Sequence, residues 1–460
     1  MKSPKCAPNS TPSNSSSSRK VQLAIGKYLS QLGWLDPRSL ACFRLILSLV
    51  LLYDIGQSWT LIDDWVGLQG YYDGLPLPGL IGIRGSWIGI TDETTLRLIF
   101  SVYAVSVLGL LVGYETSWCT IWVWVASCGH HYAASHTLDY HDTAIVNLLL
   151  WSLALPLGDR FSVDAVLRRK AGHRFTRSPK DITPAPKDIT PARQLRQRRL
   201  VEAVAGCGFV LTLAWLYLNT AAAKDGAAWW SQGDAVRLAV MEFSARAPEG
   251  VWAIAHLPDL FFRVATHLVL VVEWVVPFLL LSPWKRSVLR TACCATLIGL
   301  HVVMWLLLDI GSFPPTMIAA AAALLPTTFW TYLTGTTKQG APVVAPLNRR
   351  NSFAQYLLIA FFGLSVLVNI EGTRLRALDP DRYPSYPGAR LLLRLKCLLG
   401  VESMWSMYAP EPQRYGGWWV AAGRRRNGNQ VDLITGNEPT LSMPFPRSGS
   451  HTGPLGYYWS

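Results

Sequence analysis

Nine apolar blocks follow one another along the chain, and each is close to the roughly 20 residues that a helix needs to cross a bilayer. They cover residues 39–55, 96–114, 118–134, 143–157, 201–223, 262–281, 289–308, 313–333 and 353–370. A soluble helix or strand would instead alternate apolar and polar positions with a period of about 3.6 or 2. The pattern therefore predicts an all-α polytopic membrane protein with about nine transmembrane helices, of which the short fourth one is tilted or re-entrant.

The polar segments divide the chain into three parts. Residues 1–35 are rich in Ser, Thr, Pro and Asn and lack an apolar core, which indicates a disordered head without a cleaved signal peptide. Residues 36–370 form the transmembrane domain, and residues 371–460 form a polar tail. Within this tail, residues 417–436 predict a small β-hairpin with an Asn427–Gly428 turn.

Lys and Arg are distributed unevenly between the connecting segments. If the N-terminus is placed in the cytoplasm, the segments on that side hold 23 Lys and Arg, whereas the outer loops hold four. Because topology follows the Lys and Arg bias of short loops, this predicts a cytoplasmic N-terminus and an exoplasmic C-terminus. The inner loop 159–200 holds 12 of these residues and a tandem PKDITPA heptapeptide at 179–192, which is typical of a spacer.

Composition supports the same class of protein and argues against others. Half of the residues are hydrophobic and 15% are charged, which is too apolar for an ordinary soluble domain. The net charge of +13 does not indicate a nucleic-acid partner, because the basic loop beside the predicted spans accounts for +8 of it. Six of the eight Cys lie within apolar blocks, so we interpret them as small buried apolar residues.

Several ionisable residues lie within the predicted spans, where lipid penalises charge. They are Arg44, Asp54, Arg97, Arg263, His267, Glu273 and His301. One interpretation is that the arginines and carboxylates form structural ion pairs between helices. The other is that some of them belong to a functional site.

The predicted orientation places His141, Lys224 and His301 near the exoplasmic interface. Lys224 follows the apolar run 216–223, and desolvation lowers the pKa of a buried amine toward values at which it acts as a base. The alternative is a lysine at a helix end whose ammonium group reaches out to water.

A metal site is not predicted. His130, His131, His136 and His141 lie close together, but the chain lacks the HxxxH and HxxHH boxes of membrane di-iron enzymes. It also lacks the GxSxG, Walker and HExxH motifs of soluble enzyme classes.

Two segments in the first half of the chain carry a family resemblance. The first block, SLACFRLILSLVLLYDI, is similar to a family's opening helix with a Phe-Arg pair and a late Asp, here Phe43, Arg44 and Asp54. The stretch that starts near His141 and ends in GDRFSVDAVL is similar to the same family's short helix and the Ser-Val-Asp element that follows it.

The second half of the chain continues the resemblance. In YLNTAAAKDGAAWW a Tyr is followed seven positions later by Lys224, and a Trp follows five positions after that. His301, with Gly311 ten positions later, resembles a histidine in a late helix, and WSMYAPEPQRYGGWWVAAGRRRNGNQVDLITGNEP resembles the segment after the last span. In this order the segments resemble the horizontally transferred transmembrane (HTTM) domain family, of the vitamin K-dependent gamma-carboxylase type.

The resemblance implies an enzyme that acts on a lipid-soluble quinol at the exoplasmic side. Lys224 would deprotonate a reduced quinone like vitamin K hydroquinone, oxygen would add to the anion, and the strong base so formed would take a proton from a substrate carbon that then takes up CO2. His141 and His301 would lie beside the quinone head group. The predicted function is a quinol-dependent oxygenase, epoxidase or carboxylase; the alternative is a non-enzymatic membrane scaffold, transport or immunity-type protein.

Overall fold

The computed structural model describes residues 26–66, 93–133, 140–175, 191–242, 247–335, 407–412, 422–432 and 438. Within these ranges the helices, in chain order, are α1 (Pro37–Val66), α2 (Glu93–Val112), α3 (Thr116–Ala133), α4 (Tyr140–Ser152), α5 (Val163–Phe175), α6 (Pro191–Ala223), α7 (Ala227–Trp230), α8 (Ala235–Met241), α9 (Pro248–His256), α10 (Asp259–Leu281), α11 (Arg286–Leu307), α12 (Phe313–Ala323) and α13 (Thr327–Thr334). Residues 26–32 are helical as well. Two short strands, β1 (Ala422–Arg424) and β2 (Gln430–Asp432), lie in the tail.

The main helices pack in a ring. α1 contacts α2, α2 contacts α3, and the order continues through α4, α6, α10, α11 and α12 back to α1. The short helices α4 and α12 also contact each other, and residues 143–152 and 319–323 are buried at every position. The longer helices expose apolar side chains such as Val105, Val264 and Val303. The bundle therefore has a protein-filled middle and an apolar periphery suited to lipid.

Five helices are long and apolar enough to cross a membrane, namely Pro37–Thr60, Thr94–Val112, Val201–Ala223, Asp259–Leu281 and Arg286–Leu307. They correspond to the first, second, fifth, sixth and seventh apolar blocks. The described part of the chain does not confirm nine spans. The third block is the 18-residue helix α3, which does not meet the same criterion, and the fourth is the 13-residue helix α4. The ninth block, 353–370, lies outside the described residues.

The eighth block is not one straight helix. α12 and α13 meet at an angle of 87°, and Pro326 lies directly before α13. Proline has no N–H to donate and clashes with the preceding turn, so it interrupts the helix here. If the bent pair counts as one broken span or a re-entrant loop, the described residues contain up to six spans.

Residues 26–35 pack against the bundle, although the sequence places them in the disordered head. The Tyr28 hydroxyl donates to the Leu281 carbonyl. The backbones at Gly33 and Gly206 approach each other so closely that a Cβ at Gly206 would lie 1.9 Å from the Gly33 oxygen. Both glycines are needed at this crossing because any side chain would separate the two segments.

Arg44 joins α1 to the end of α2 through backbone carbonyl groups. Its buried guanidinium donates to the oxygens of Leu110 at 2.6 Å, Leu111 at 2.7 Å and Phe161 at 2.5 Å. Carbonyls in the last turn of a helix lack helical partners, and the helix dipole attracts a cation there. We name these three hydrogen bonds from Arg44 to backbone carbonyl groups the clamp. They stand in place of the ion pair that the sequence offers for Arg44.

Asp164 binds the start of α3 near the Arg44 guanidinium. Its carboxylate accepts hydrogen bonds from the N–H of Glu115 at 2.9 Å and from the N–H and hydroxyl of Thr116 at 2.9 and 2.6 Å. Partial burial raises the pKa of the Asp164 carboxyl, but these hydrogen bonds and the charge of Arg168 outweigh it and hold the pKa below its ordinary value. The segment GDRFSVDAVL therefore joins α2, α3 and α5.

The hairpin in the tail is present, with strands of three residues each. β1 and β2 are antiparallel, with Arg424 opposite Gln430. Gly428 adopts a φ of +90°, which is open to glycine, and its N–H donates to the Arg425 carbonyl at 2.9 Å. The Asn427–Gly428 turn lies where the sequence predicts it.

Candidate functional site

Lys224 is the first residue after α6, and only 4% of its surface is exposed. Its Nζ lies 2.5 Å from Oε1 of Glu273 on α10, whose side chain is 8% exposed. Because the side chain is buried, the alternative that Lys224 reaches out to water is wrong. Removing one partner of a buried ion pair leaves an uncompensated charge, which costs about 3–5 kcal/mol.

The ion pair lies inside the bundle. Glu273 is in the interior of α10, about 21 Å along the helix from Asp259 and about 12 Å from Leu281. The side chain of Lys224 thus extends inward from the end of α6. The interfacial position that the sequence predicts for Lys224 stays a prediction.

Two tryptophans of α7 surround Lys224. The ring centroid of Trp229 lies 4.6 Å from Nζ, within the range of a cation–π interaction. The indole N–H of Trp230 donates to the Lys224 carbonyl at 2.7 Å. The Trp229 ring covers the ammonium group of Lys224, and the hydrogen bond from Trp230 fixes the Lys224 backbone.

A segment of the tail holds Trp229 in place. We name residues 407–412 the tail strap. The indole N–H of Trp229 donates to the Tyr408 carbonyl at 2.9 Å, and the N–H of Gly226 donates to the Pro410 carbonyl at 3.2 Å. The tail strap is thus hydrogen-bonded to α7, whose Trp229 covers Lys224, and to Gly226, the residue before α7.

Glu411 adds a third bond between the tail strap and α7. Its Oε1 accepts a hydrogen bond from the N–H of Ala228 at 3.0 Å, which satisfies a donor in the first turn of the helix. Gly226 leaves room for this carboxylate, because a Cβ at position 226 would lie 2.0 Å from Cγ of Glu411. The glycine is required by this close approach.

His301 on α11 and Tyr217 on α6 form the second polar pair of the site. The Tyr217 hydroxyl lies 2.8 Å from Nε2 of His301, and the Phe313 ring meets the imidazole edge-on at 5.6 Å. Tyr217 precedes Lys224 by seven residues, so both pairs are attached to the last two turns of α6 and the residue that follows it.

Two buried atoms of this site have no hydrogen-bond partner among the described residues. They are Oε2 of Glu273 and Nδ1 of His301. Buried polar atoms in proteins are hydrogen-bonded as a rule. These two atoms, a carboxylate oxygen and an imidazole nitrogen, are the polar groups that the site could offer to a ligand.

The remaining predicted site residue, His141, belongs to α4, but its side chain lies outside the described residues. Its position relative to Lys224 and His301 stays a prediction. Of the other ionisable residues of the spans, His267 lies nearest to the site, with its Nε2 3.4 Å from the Trp230 carbonyl oxygen. Arg97 lies over the Trp59 ring at 5.3 Å, and Arg263 and His267 are exposed on α10.

Within the described ranges, no group of three or more His, Cys, Asp and Glu side chains could hold a metal ion. The side chains of His130, His131, His136 and His141 lie outside those ranges.

Sequence reasoning offered an ion pair for Glu273 but not its partner Lys224, and it missed the tail strap. Glu273 was visible as an acid within a span, but its partner is 49 residues away, and helical periodicity relates only near neighbours. The sequence gave even less indication of a role for Glu411. It only lies in the tail segment that resembles the HTTM family. The AAWW sequence after Lys224 was the clearest available sign of a covered lysine.

These features define a multi-pass helical membrane protein with a buried lysine–glutamate pair between the end of α6 and α10. Compared with known proteins, the chain matches no family model, no curated protein and no solved structure.

Proposed function

We propose that this protein is a membrane enzyme of the HTTM type that acts on a lipid-soluble quinol, with Lys224 as the base. The observation that carries the proposal is the buried Lys224–Glu273 pair beside the hydrogen bond of Tyr217 and His301. Ionisable residues inside a membrane domain are costly, and they mark a functional site by default.

The residues of the site fit the head group of a reduced quinone, which is a flat ring with two hydroxyl groups. Glu273 Oε2 is an unpartnered acceptor and His301 Nδ1 an unpartnered nitrogen among the described residues. The rings of Trp229 and Phe313 supply aromatic walls. A few placed polar groups among aromatic and apolar side chains are typical of a small-molecule site.

Proton transfer by Lys224 requires its amine to be neutral. In a water-free pair the proton of the ammonium can move to the Glu273 carboxylate, which leaves a free amine and a neutral acid. The amine then accepts the hydroxyl proton of the substrate. The ammonium so formed lies beside the new oxyanion and stabilises it electrostatically.

Tyr217 orients His301 for the same step. If the Tyr217 hydroxyl donates to Nε2, the imidazole proton resides on Nδ1, which can then donate to the substrate oxygen. When bound, a reduced quinone supplies the electrons that reduce molecular oxygen. The family resemblance extends the proposal to oxygenation or carboxylation of a partner substrate, with His141 as a further residue at the head group.

The test is an assay of the full chain in lipid nanodiscs with vitamin K hydroquinone and oxygen. Oxygen consumption and quinone epoxide are measured for wild type and for Lys224→Ala. Loss of a general base lowers such rates by about 10²–10⁴-fold. Lys285→Ala is the matched control, because Lys285 is exposed and its Nζ also lies over a tryptophan ring, 4.8 Å from the Trp284 centroid. We expect the control to retain wild-type activity.

A membrane scaffold is the second candidate, and the same two pairs favour it. Lys224–Glu273 and Tyr217–His301 cross-link α6 to α10 and to α11. In a scaffold these bonds would have only a structural role. Wild type and Lys224→Ala that are equally inert toward several quinols would support the scaffold and contradict the enzyme.

A further inference from the structure

His267 connects α10 to the end of α7 through backbone carbonyl groups. The imidazole is exposed, and each of its two nitrogens faces one carbonyl oxygen. Nδ1 lies 2.8 Å from the Arg263 oxygen, one turn earlier on α10. Nε2 lies 3.4 Å from the oxygen of Trp230, the last residue of α7. The ring therefore bridges two helices.

The chain after α7 leaves room for this ring. Gly233 adopts a φ of +70°, and a Cβ at this position would lie 2.8 Å from Cε1 of His267. Another residue at position 233 would be strained in its backbone and would push the imidazole away. The imidazole thus has a fitted position beside the Trp230 carbonyl.

The two carbonyl oxygens distinguish the protonation states of His267. A neutral imidazole carries one N–H, so one of its nitrogens presents a lone pair to a carbonyl oxygen and cannot bond it. The shorter distance to Arg263 favours Nδ1 as the donor. An imidazolium carries two N–H groups and donates to both oxygens. Protonation therefore adds a charge-assisted hydrogen bond from His267 to Trp230, and histidine changes its charge between about pH 5 and pH 8.

The charged and titratable groups on the elements around His267 are mixed in sign. They are Asp259 and Arg263 on α10, Asp225 and Asp234 in the connections beside α7, Arg237 on α8, Lys224 after α6, His301 on α11 and Glu411 in the tail strap. Arg237 is paired with Asp259, and Lys224 with Glu273. Among the described residues, the hydrogen-bond partners of His267 are the two carbonyl groups. The added bond therefore depends on the charge of His267 and not on a carboxylate partner.

This bond acts on the helix that covers Lys224. α7 has four residues, and its Trp229 ring lies over the ammonium group of Lys224. The Trp230 carbonyl lies at the C-terminal end of α7, where carbonyl groups lack helical partners. A bond at this carbonyl fixes the end of α7, as the tail strap fixes its start and Trp229.

We propose that His267 is a pH-sensitive latch that holds α7 over Lys224. At low pH the imidazolium donates to Arg263 and Trp230, and the latch is closed. As the pH rises, His267 loses its proton and the bond to Trp230, so α7 and Trp229 are held less firmly. The latch does not involve a quinol, so failure of the proposed enzyme activity would leave it intact.

The test is hydrogen–deuterium exchange of the full chain in lipid nanodiscs at pH 5.5 and pH 8. Each rate is divided by the intrinsic rate of an unstructured chain at the same pH. The amides of Trp229, Ser231 and Asp234 report on α7, because they donate to the carbonyls of residues 226–228. Wild type is expected to protect them about threefold to tenfold more at pH 5.5, as one added hydrogen bond predicts.

His267→Gln is uncharged at both pH values and is expected to abolish this difference. His256→Gln is the matched control. His256 is also exposed, and its Nδ1 also lies 2.8 Å from the carbonyl oxygen four residues earlier, at Trp252. Within the described ranges its Nε2 has no second carbonyl to bond, so this variant is expected to retain the wild-type difference.

If His267→Gln does not fold, His267→Asn removes the charge in the same way. An equal difference between pH 5.5 and pH 8 in wild type and in the His267 variant would overturn the proposal. Greater protection of α7 at pH 8, or the same loss of the difference in His256→Gln, would also overturn it.

Discussion

Trp229 covers Lys224 with its ring 4.6 Å from Nζ, and the same indole donates its N–H to the carbonyl of Tyr408. The cover of the lysine is therefore linked directly to the tail strap, residues 407–412. Any change that releases the strap should also loosen Trp229. The first prediction follows from this link.

Gly226→Ala should displace the tail strap from α7. The added Cβ would lie 2.0 Å from Cγ of Glu411, so the carboxylate has to move and its bond to the N–H of Ala228 is lost. We expect faster proteolysis of the tail and greater reactivity of Lys224 toward amine reagents. Gly299→Ala is the control, since a Cβ at Gly299 meets nothing within 4 Å. Equal protection of the tail in both variants would show that the strap does not depend on Gly226.

Glu273→Gln should destabilise the bundle, because it leaves the ammonium of Lys224 buried without its counter-charge. The expected loss in the free energy of unfolding is about 3–5 kcal/mol. Replacing both residues, Lys224→Met with Glu273→Leu, should recover most of this loss, since apolar residues of similar volume need no partner. Denaturant titration of the purified variants measures both effects. Recovery of stability without recovery of quinol turnover would separate the structural role of the pair from its proposed chemical role.

Arg44→Lys should weaken the contact between α1 and the end of α2. A lysine presents its donors from one atom and cannot span the three carbonyls that the Arg44 guanidinium binds. Leaving a buried acceptor unsatisfied costs about 1–3 kcal/mol. Arg237→Lys is the matched control, because Arg237 makes an exposed ion pair with Asp259, and such pairs contribute about 0–1 kcal/mol. Thermal unfolding midpoints that fall equally in both variants would contradict the clamp.

The contribution of Asp164 to stability should depend on pH. Its pKa in the folded protein lies below the ordinary value of 3.8, which the unfolded chain regains. The folded state is therefore favoured at pH values above 3.8, and this advantage disappears as the pH falls through the lowered pKa. Asp164→Asn removes the titrating group, so the difference in unfolding midpoint between wild type and variant should shrink below pH 4. A difference that stays constant from pH 7 to pH 3 would rule out this linkage.

Hydropathy predicted the long helices well, because a continuous apolar run is nearly sufficient for a span. The block 201–223 ends at the same residue as α6, and the block 262–281 ends with α10. The block 313–333 forms two helices for a reason that hydropathy does not contain. Its apolar character continues through the break, whereas the direction of the chain changes at Pro326. A proline within an apolar run was the signal that argued for two helices.

The candidate site was predictable only in part. The position of Lys224 after an apolar run and the burial of His301 inside a span can be inferred from neighbouring residues. The pairing of Lys224 with Glu273 depends on how α6 and α10 cross, and local patterns do not encode that crossing. The contact between Glu411 and α7 joins positions 183 apart, so only the folded chain reveals it.

The long separation between the tail strap and α7 has a consequence for biosynthesis. A ribosome completes α6 and α7 well before it reaches residues 407–412, and membrane insertion of the helices precedes synthesis of the strap. The bonds that hold Trp229 over Lys224 therefore form only after residues 407–412 have been made. A nascent chain arrested before residue 407 would contain Lys224 and Glu273 but not these bonds.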